Sequence, residues 1–94
     1  MAELTLVTMV FDAARPDELA AVLAKYVVLA RQHNGCRNID LCASLTKPGR
    51  FVVVEKWASV EALKSHLAAP HMTDYRSRVK DYVVSAKLQV LQPA

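Results

Sequence analysis

The sequence has few places to bend. It contains two glycines and four prolines among 94 residues, and they do not cluster. That excludes a low-complexity stretch or an interdomain linker, and no internal repeat is visible. One domain is therefore expected, spanning residues 1–94. There is no apolar run of 18 residues, so no membrane span is expected. Met1-Ala2-Glu3-Leu4 lacks a basic region followed by an apolar one, so no signal peptide is expected either. Runs of Lys or Arg are also missing. The 12 basic and 9 acidic residues, net charge +3, are scattered along the chain, without the basic stripe or motif that a nucleic-acid partner requires. Cysteine is scarce. If Cys36 and Cys42 share one strand they stand roughly 20 Å apart, too far for a disulfide. Reduced thiols and a cytoplasmic location are the expectation.

What the chain does have is apolar surface. Hydrophobic residues make up 53% of it, yet a domain this small buries only roughly 60–65% of the surface it would expose unfolded. Self-association is the simplest outlet for the excess, and symmetric homo-oligomers are the usual form.

The patterning places the elements. Leu4 to Phe11 alternates as a strand with both faces largely apolar, which implies cover on both sides. Asp12 to Pro16 reads as a turn. Pro16 suits the first position of a helix, with Asp17 and Glu18 at the positive end of its dipole. Leu19, Leu23, Tyr26, Val27 and Ala30 then share one helical face. Asn34-Gly35 closes that helix, with Gly35 as a left-handed cap. Cys36 to Leu45 and Phe51 to Trp57 read as strands joined by a hairpin turn at Lys47-Pro48-Gly49. On the latter strand Phe51, Val53, Glu55 and Trp57 share one face. Ser59 is a candidate N-cap for a helix carrying Leu63 and Leu67 inward. Pro70 breaks that helix, and a further helical stretch carries Met72, Tyr75, Val79 and Tyr82. Val84 to Leu91 is the last strand. The order β-α-β-β-α-β is the ferredoxin-like pattern of an α+β domain with an antiparallel sheet. Both helices lie on one face of such a sheet. The apolar open face predicts a homodimer in which two sheets pack together.

The segment from Arg50 to Ser59, containing Glu55-Lys56-Trp57, and the following Glu61 to His71, with His66 and then His71 five residues on, resemble the antibiotic biosynthesis monooxygenase domain family. The Asn34-Gly35-Cys36 turn fits the same pattern. The resemblance covers essentially the whole chain. It implies a dimeric α/β barrel with a pocket between the sheet and the helices of each subunit. It also implies activities that differ among members: cofactor-free oxygenation of quinols or polycyclic phenols, haem degradation, or isomerisation of small sugars. Haem-degrading members use an Asn on the first strand and a His on the last helical stretch. Here no Asn precedes Asn34, and Tyr75 and Arg76 occupy the helical stretch, which disfavours haem. Some phenol-oxygenating members carry an Asn on the third strand, where this chain has Val53 and Val54.

The residues themselves offer several roles. Trp57 with Phe51 and Val53 forms either an apolar pocket suited to a phenol or a core anchor whose indole N–H is satisfied by a neighbour. Glu55, between Val53 and Trp57, requires a partner: an Arg or Lys from a helix, or a His that it orients. His66 and His71 are the candidate bases, with an unperturbed pKa near 6.5. Their five-residue spacing is not that of two ligands on one helical face, so no metal is expected, and the resemblance to the oxygenating members implies no cofactor. His33 reads as a helix-end residue favoured by the dipole. Met72 and Tyr75 are placed to close a pocket over a flat ligand, and Arg76 or Arg78 to hold an anionic group or to pair with acids. The leading expectation is a cofactor-independent monooxygenase taking a small phenolic substrate and molecular oxygen. The alternatives are a non-catalytic binding or stress-associated module and an isomerase of a small metabolite.

Overall fold

The computed structural model describes residues 4–94. The elements follow the expected order with the second helix divided: β1 (Thr5–Ala13), α1 (Pro16–Arg31), β2 (Cys36–Ala43), β3 (Arg50–Trp57), α2 (Val60–Leu67), α3 (His71–Tyr82) and β4 (Val83–Leu91). The strands form one sheet in the order β2-β3-β1-β4, and every pairing is antiparallel. This is the ferredoxin-like α+β arrangement. No helix among the described residues is long and apolar enough to cross a membrane.

The register explains which side chains meet. Thr5, Val7, Met9 and Phe11 of β1 stand opposite Trp57, Glu55, Val53 and Phe51 of β3. Ile39 and Leu41 of β2 stand opposite Glu55 and Val53 on the other side. This face lies under the helices, and α1 seals it with Leu19, Leu23, Tyr26, Val27 and Ala30, all buried. The short α2 contributes Leu63 and His66, and α3 contributes Met72 and Val79. The ladder therefore sets Glu55 directly between Val7 and Ile39, in the middle of an apolar sheet.

The edge strand β4 is covered much less. By register Leu88 and Val90 lie beside Met9 and Val7 on the helix side, yet they remain 58% and 52% exposed. The uncovered strip is one wall of a cleft. On the opposite face of the sheet Leu6, Val10, Val52 and Val54 are only half-buried.

Three local details differ from the sequence reading. β1 runs on to Ala13 because Asp12 is held across the sheet: Arg50 donates two hydrogen bonds to it at 2.8 and 2.9 Å, and Ser85 one at 3.2 Å. β2 stops at Ala43 because Ser44 Oγ accepts from the backbone N–H groups of Thr46 and Lys47 and starts the turn there, leaving Leu45 fully exposed. Gly35 is not the helix cap. The helix ends at Arg31 with Gln32 still right-handed. Gly35, at φ 91°, instead carries the turn into β2, where an added Cβ would lie 2.5 Å from Ala62 Cβ. Ser59 does cap α2, its hydroxyl accepting from the Ala62 N–H at 3.1 Å.

Candidate functional site

A buried carboxylate anchors the site. Glu55 is 1% exposed, and both oxygens are engaged. The Tyr26 hydroxyl donates to Oε2 at 2.6 Å, and the Trp57 indole N–H donates to Oε1 at 2.8 Å. The partner expected for Glu55 was a cation or a His. The partners found are a phenol and an indole, because the buried face of α1 carries Tyr26 over β3. Burial pushes the Glu55 carboxyl above its ordinary range, although both hydrogen bonds act to lower it. Burial, and then the charge of Glu55, hold the Tyr26 phenol far above its usual value.

Tyr26 also meets His66, whose Nε2 lies 3.0 Å from the hydroxyl. The hydroxyl proton is committed to Glu55, so the oxygen accepts from His66 Nε2–H. That assignment makes His66 the Nε2 tautomer when neutral. Its ring is fully buried and stacked on Trp57 at 4.5 Å between centroids. Burial first, then His33, His71 and Arg76, pushes its pKa down to about 4. Glu55, Tyr26 and His66 thus form one continuous hydrogen-bonded chain, drawn from β3, α1 and α2.

The cleft beside this chain has a volume of about 330 Å³. Its apolar walls include Val7, Met9, Phe11, Met72, Val79, Leu88 and Val90, and its polar groups are Glu55, Tyr26, Tyr75, Arg76, Lys80 and Lys87. Tyr75 stacks on Tyr26 at 4.1 Å. Met72 and Tyr75 border the cleft, while Trp57, Phe51 and Val53 do not line it. Trp57 is fully buried and occupied by Glu55 and His66, the core-anchor alternative, and Val53 is fully buried beside Met9 and Leu41. His71 is likewise absent from the cleft. It opens onto a smaller hollow of about 250 Å³ between α1 and α3, where its Nε2 lies 3.3 Å from His33 Nε2.

Two of these residues escaped the sequence reading. Tyr26 was counted only as part of the apolar face of α1. Its hydroxyl was the available signal, since a buried phenol needs a partner. His33 was assigned to the helix dipole, but it lies in the turn beyond α1 and meets His71. All three histidines of the chain converge, which spacing along a single helix could not reveal.

The strand ending in Glu-x-Trp and the helix carrying a His, which carried the resemblance, meet here with His66 stacked on Trp57, and residues 6–78 match the family described as antibiotic biosynthesis monooxygenase. The chain belongs to the antibiotic biosynthesis monooxygenase family. Among its relatives is a protein of Escherichia coli strain K12 described as a probable quinol monooxygenase, YgiN. It is 32% identical over 78 residues, covering 74% of this chain and 75% of that one. The structure of Rv0793 from Mycobacterium tuberculosis is 32% identical with a TM-score of 0.87, covering 97% of this chain and 95% of the other. SnoaB, a cofactor-independent oxygenase from Streptomyces nogalater, shares the fold at 16% identity and a TM-score of 0.90, covering 99% of this chain and 95% of its own.

Proposed function

We propose that this family member is a monooxygenase that oxidises a quinol or related phenol with molecular oxygen and no cofactor. The observation that carries the reading is Glu55: a buried carboxylate, its pKa raised by burial, bonded to a phenol and an indole at the wall of an apolar cleft. A flat phenol fits a cleft at the lower end of the about 300–1,000 Å³ usual for small-molecule sites. The identity to a protein described as a probable quinol monooxygenase supports the substrate class.

In this reading the substrate hydroxyl passes its proton to Glu55, which is a stronger base than an exposed carboxylate. Tyr26 and His66 extend the path by which that proton is held. The phenolate gives one electron to oxygen, and the resulting radical pair joins at a ring carbon as a peroxide anion, which takes the proton back from Glu55 to become a hydroperoxide. Loss of water then leaves a carbonyl. One oxygen atom enters the product and the other leaves as water, with all four electrons coming from the substrate, so that quinol and O₂ give hydroxyquinone and water. Arg76, Lys80 and Lys87 at the cleft favour the anionic intermediate. His66 serves here through Tyr26 rather than by touching the substrate, and His71 is outside the path.

The test is oxygen uptake by metal-free protein with a panel of hydroquinones and polycyclic phenols. Protein-dependent uptake that falls at least about 100-fold in Glu55→Gln, the effect usual for a general base, supports the proposal. Ligand affinity without uptake would point to a binding module, and turnover that proceeds equally well without oxygen to an isomerase. We also propose that a second copy of the chain covers the face bearing Leu6, Val10, Val52 and Val54, and that the reduced thiols Cys36 and Cys42 sit in a reducing, cytoplasmic setting.

A further inference from the structure

We propose that His33, His66 and His71 form a binding site for one divalent transition-metal ion, of the class typified by Zn²⁺, behind the Tyr26–Glu55 pair. The three residues come from the turn after α1, from α2 and from the start of α3. One ring nitrogen of each lies within 4.8 Å of the others. Three neutral imidazoles are a donor set that suits zinc, copper, nickel and iron rather than calcium or magnesium. Three imidazoles with one open position is also a recurring zinc arrangement.

Two independent observations favour ligation over ordinary packing. The first is the hydrogen-bond chain. Because Tyr26 gives its proton to Glu55 and accepts from His66 Nε2–H, His66 Nδ1 carries a bare lone pair. Among the described residues Nδ1 is one of two buried side-chain polar atoms with no hydrogen-bond partner, the other being Thr5 Oγ1. An orphaned buried acceptor on an imidazole whose other nitrogen donates to an oriented group is the usual state of a metal-ligating His. Carboxylate-to-histidine support of this kind is the common second shell of zinc ligands, and here Glu55 acts through Tyr26. The second observation is that His33 Nε2 and His71 Nε2, within hydrogen-bond reach of each other at 3.3 Å, already stand at the spacing of two ligands on one ion. Two nitrogens each about 2.0–2.1 Å from a tetrahedral zinc lie about 3.3–3.4 Å apart. The remaining separation closes by rotation of His33 and His71, both only half-buried. His71 opens onto the hollow between α1 and α3, which gives an ion an entry that does not pass through the apolar cleft.

The test is titration of metal-free protein with Zn²⁺ by calorimetry and with Co²⁺ by visible absorption, in the absence of any phenol. The expected result is one ion per chain, with Co²⁺ giving the visible bands of a low-coordinate nitrogen site. His33→Ala and His71→Ala should each weaken binding by more than the about 10–100-fold that loss of a second-shell partner costs, and Tyr26→Phe by an amount within that range. His33 and His71 lie outside the Glu55–Tyr26–His66 chain, so these two variants are expected to fold, which their far-ultraviolet spectra would verify. Nitrogen NMR of the imidazoles should show Nδ1 of His66 as the resonance that moves on adding Zn²⁺. No saturable binding at equimolar metal, or affinity unchanged in both His33→Ala and His71→Ala, overturns the site. Because substrate is absent, neither outcome depends on the oxygenase reading.

Discussion

Tyr26→Phe removes one oxygen atom and separates the two halves of the buried chain. The Tyr26 hydroxyl reaches Glu55 at 2.6 Å and His66 at 3.0 Å. Hydrogen bonds to charged groups contribute about 1.5–3 kcal/mol, and here two buried partners are left behind, one of which, Glu55, keeps Trp57. The phenyl ring still stacks on Tyr75, so the fold should survive with a loss of about 3 kcal/mol. At about 4–8 °C per kcal/mol for a domain of this size, the melting temperature should fall by about 12–24 °C. The activity consequence has a definite sign. The Tyr26 hydrogen bond lowers the Glu55 pKa against the larger effect of burial. Without it the carboxyl rises further, and a base that works ionised is lost at higher pH. The acid limb of the kcat/KM profile should therefore move to higher pH. The assays are thermal unfolding and oxygen uptake across pH. A variant within about 1 kcal/mol of the wild type, below the typical value of a single charged hydrogen bond, and with an unmoved acid limb would refute the chain as drawn.

Further outcomes follow from the same structure. His66 has its pKa depressed from 6.5 to about 4, so the unfolded state binds a proton first as pH falls. Its contribution to stability is whole above 6.5 and is lost between 6.5 and about 4, at roughly 1.4 kcal/mol per unit. The raised Glu55 acts in the opposite direction, so the quantity to measure is the difference between wild type and His66→Gln. That difference should shrink across this window in denaturant titrations and stay flat above pH 7. Gly35→Ala places a methyl 2.5 Å from Ala62 Cβ at a backbone angle that disfavours a side chain, and should cost at least about 2 kcal/mol in urea unfolding. Val54→Lys puts a charge on the open sheet face, and light scattering should show a dimeric mass for the wild type and a monomeric one for the variant; equal masses would remove the proposed interface.

The fold could be read from the sequence because each of its signals is local. Alternation in β1 and β3, Pro16 at the start of α1, Ser59 capping α2 and the break at Pro70 each act within a few residues, and together they determine the element order. The limits of β1 and β2 could not be read this way. Asp12 is held by Arg50 and Ser85 from distant strands, and only the assembled sheet brings these together. The site was half legible. Glu55 stands out as a carboxylate in an apolar row, and His66 through the Glu-x-Trp pattern that it packs against. Tyr26 and His33 are 29 and 38 residues from their partners Glu55 and His71, and periodicity on α1 describes only which face is buried. Trp57 was left between a pocket wall and a core anchor, and its burial with the indole donating to Glu55 is the core-anchor arrangement.

Whether Glu55 activates a phenol for direct reaction with oxygen is measured by incubating the metal-free protein with a hydroquinone under heavy-oxygen-labelled O₂ and weighing the product by mass spectrometry. One labelled oxygen atom per product molecule is expected, formed in proportion to protein and absent in Glu55→Gln. Unlabelled product, or labelled product formed equally by Glu55→Gln, would contradict it.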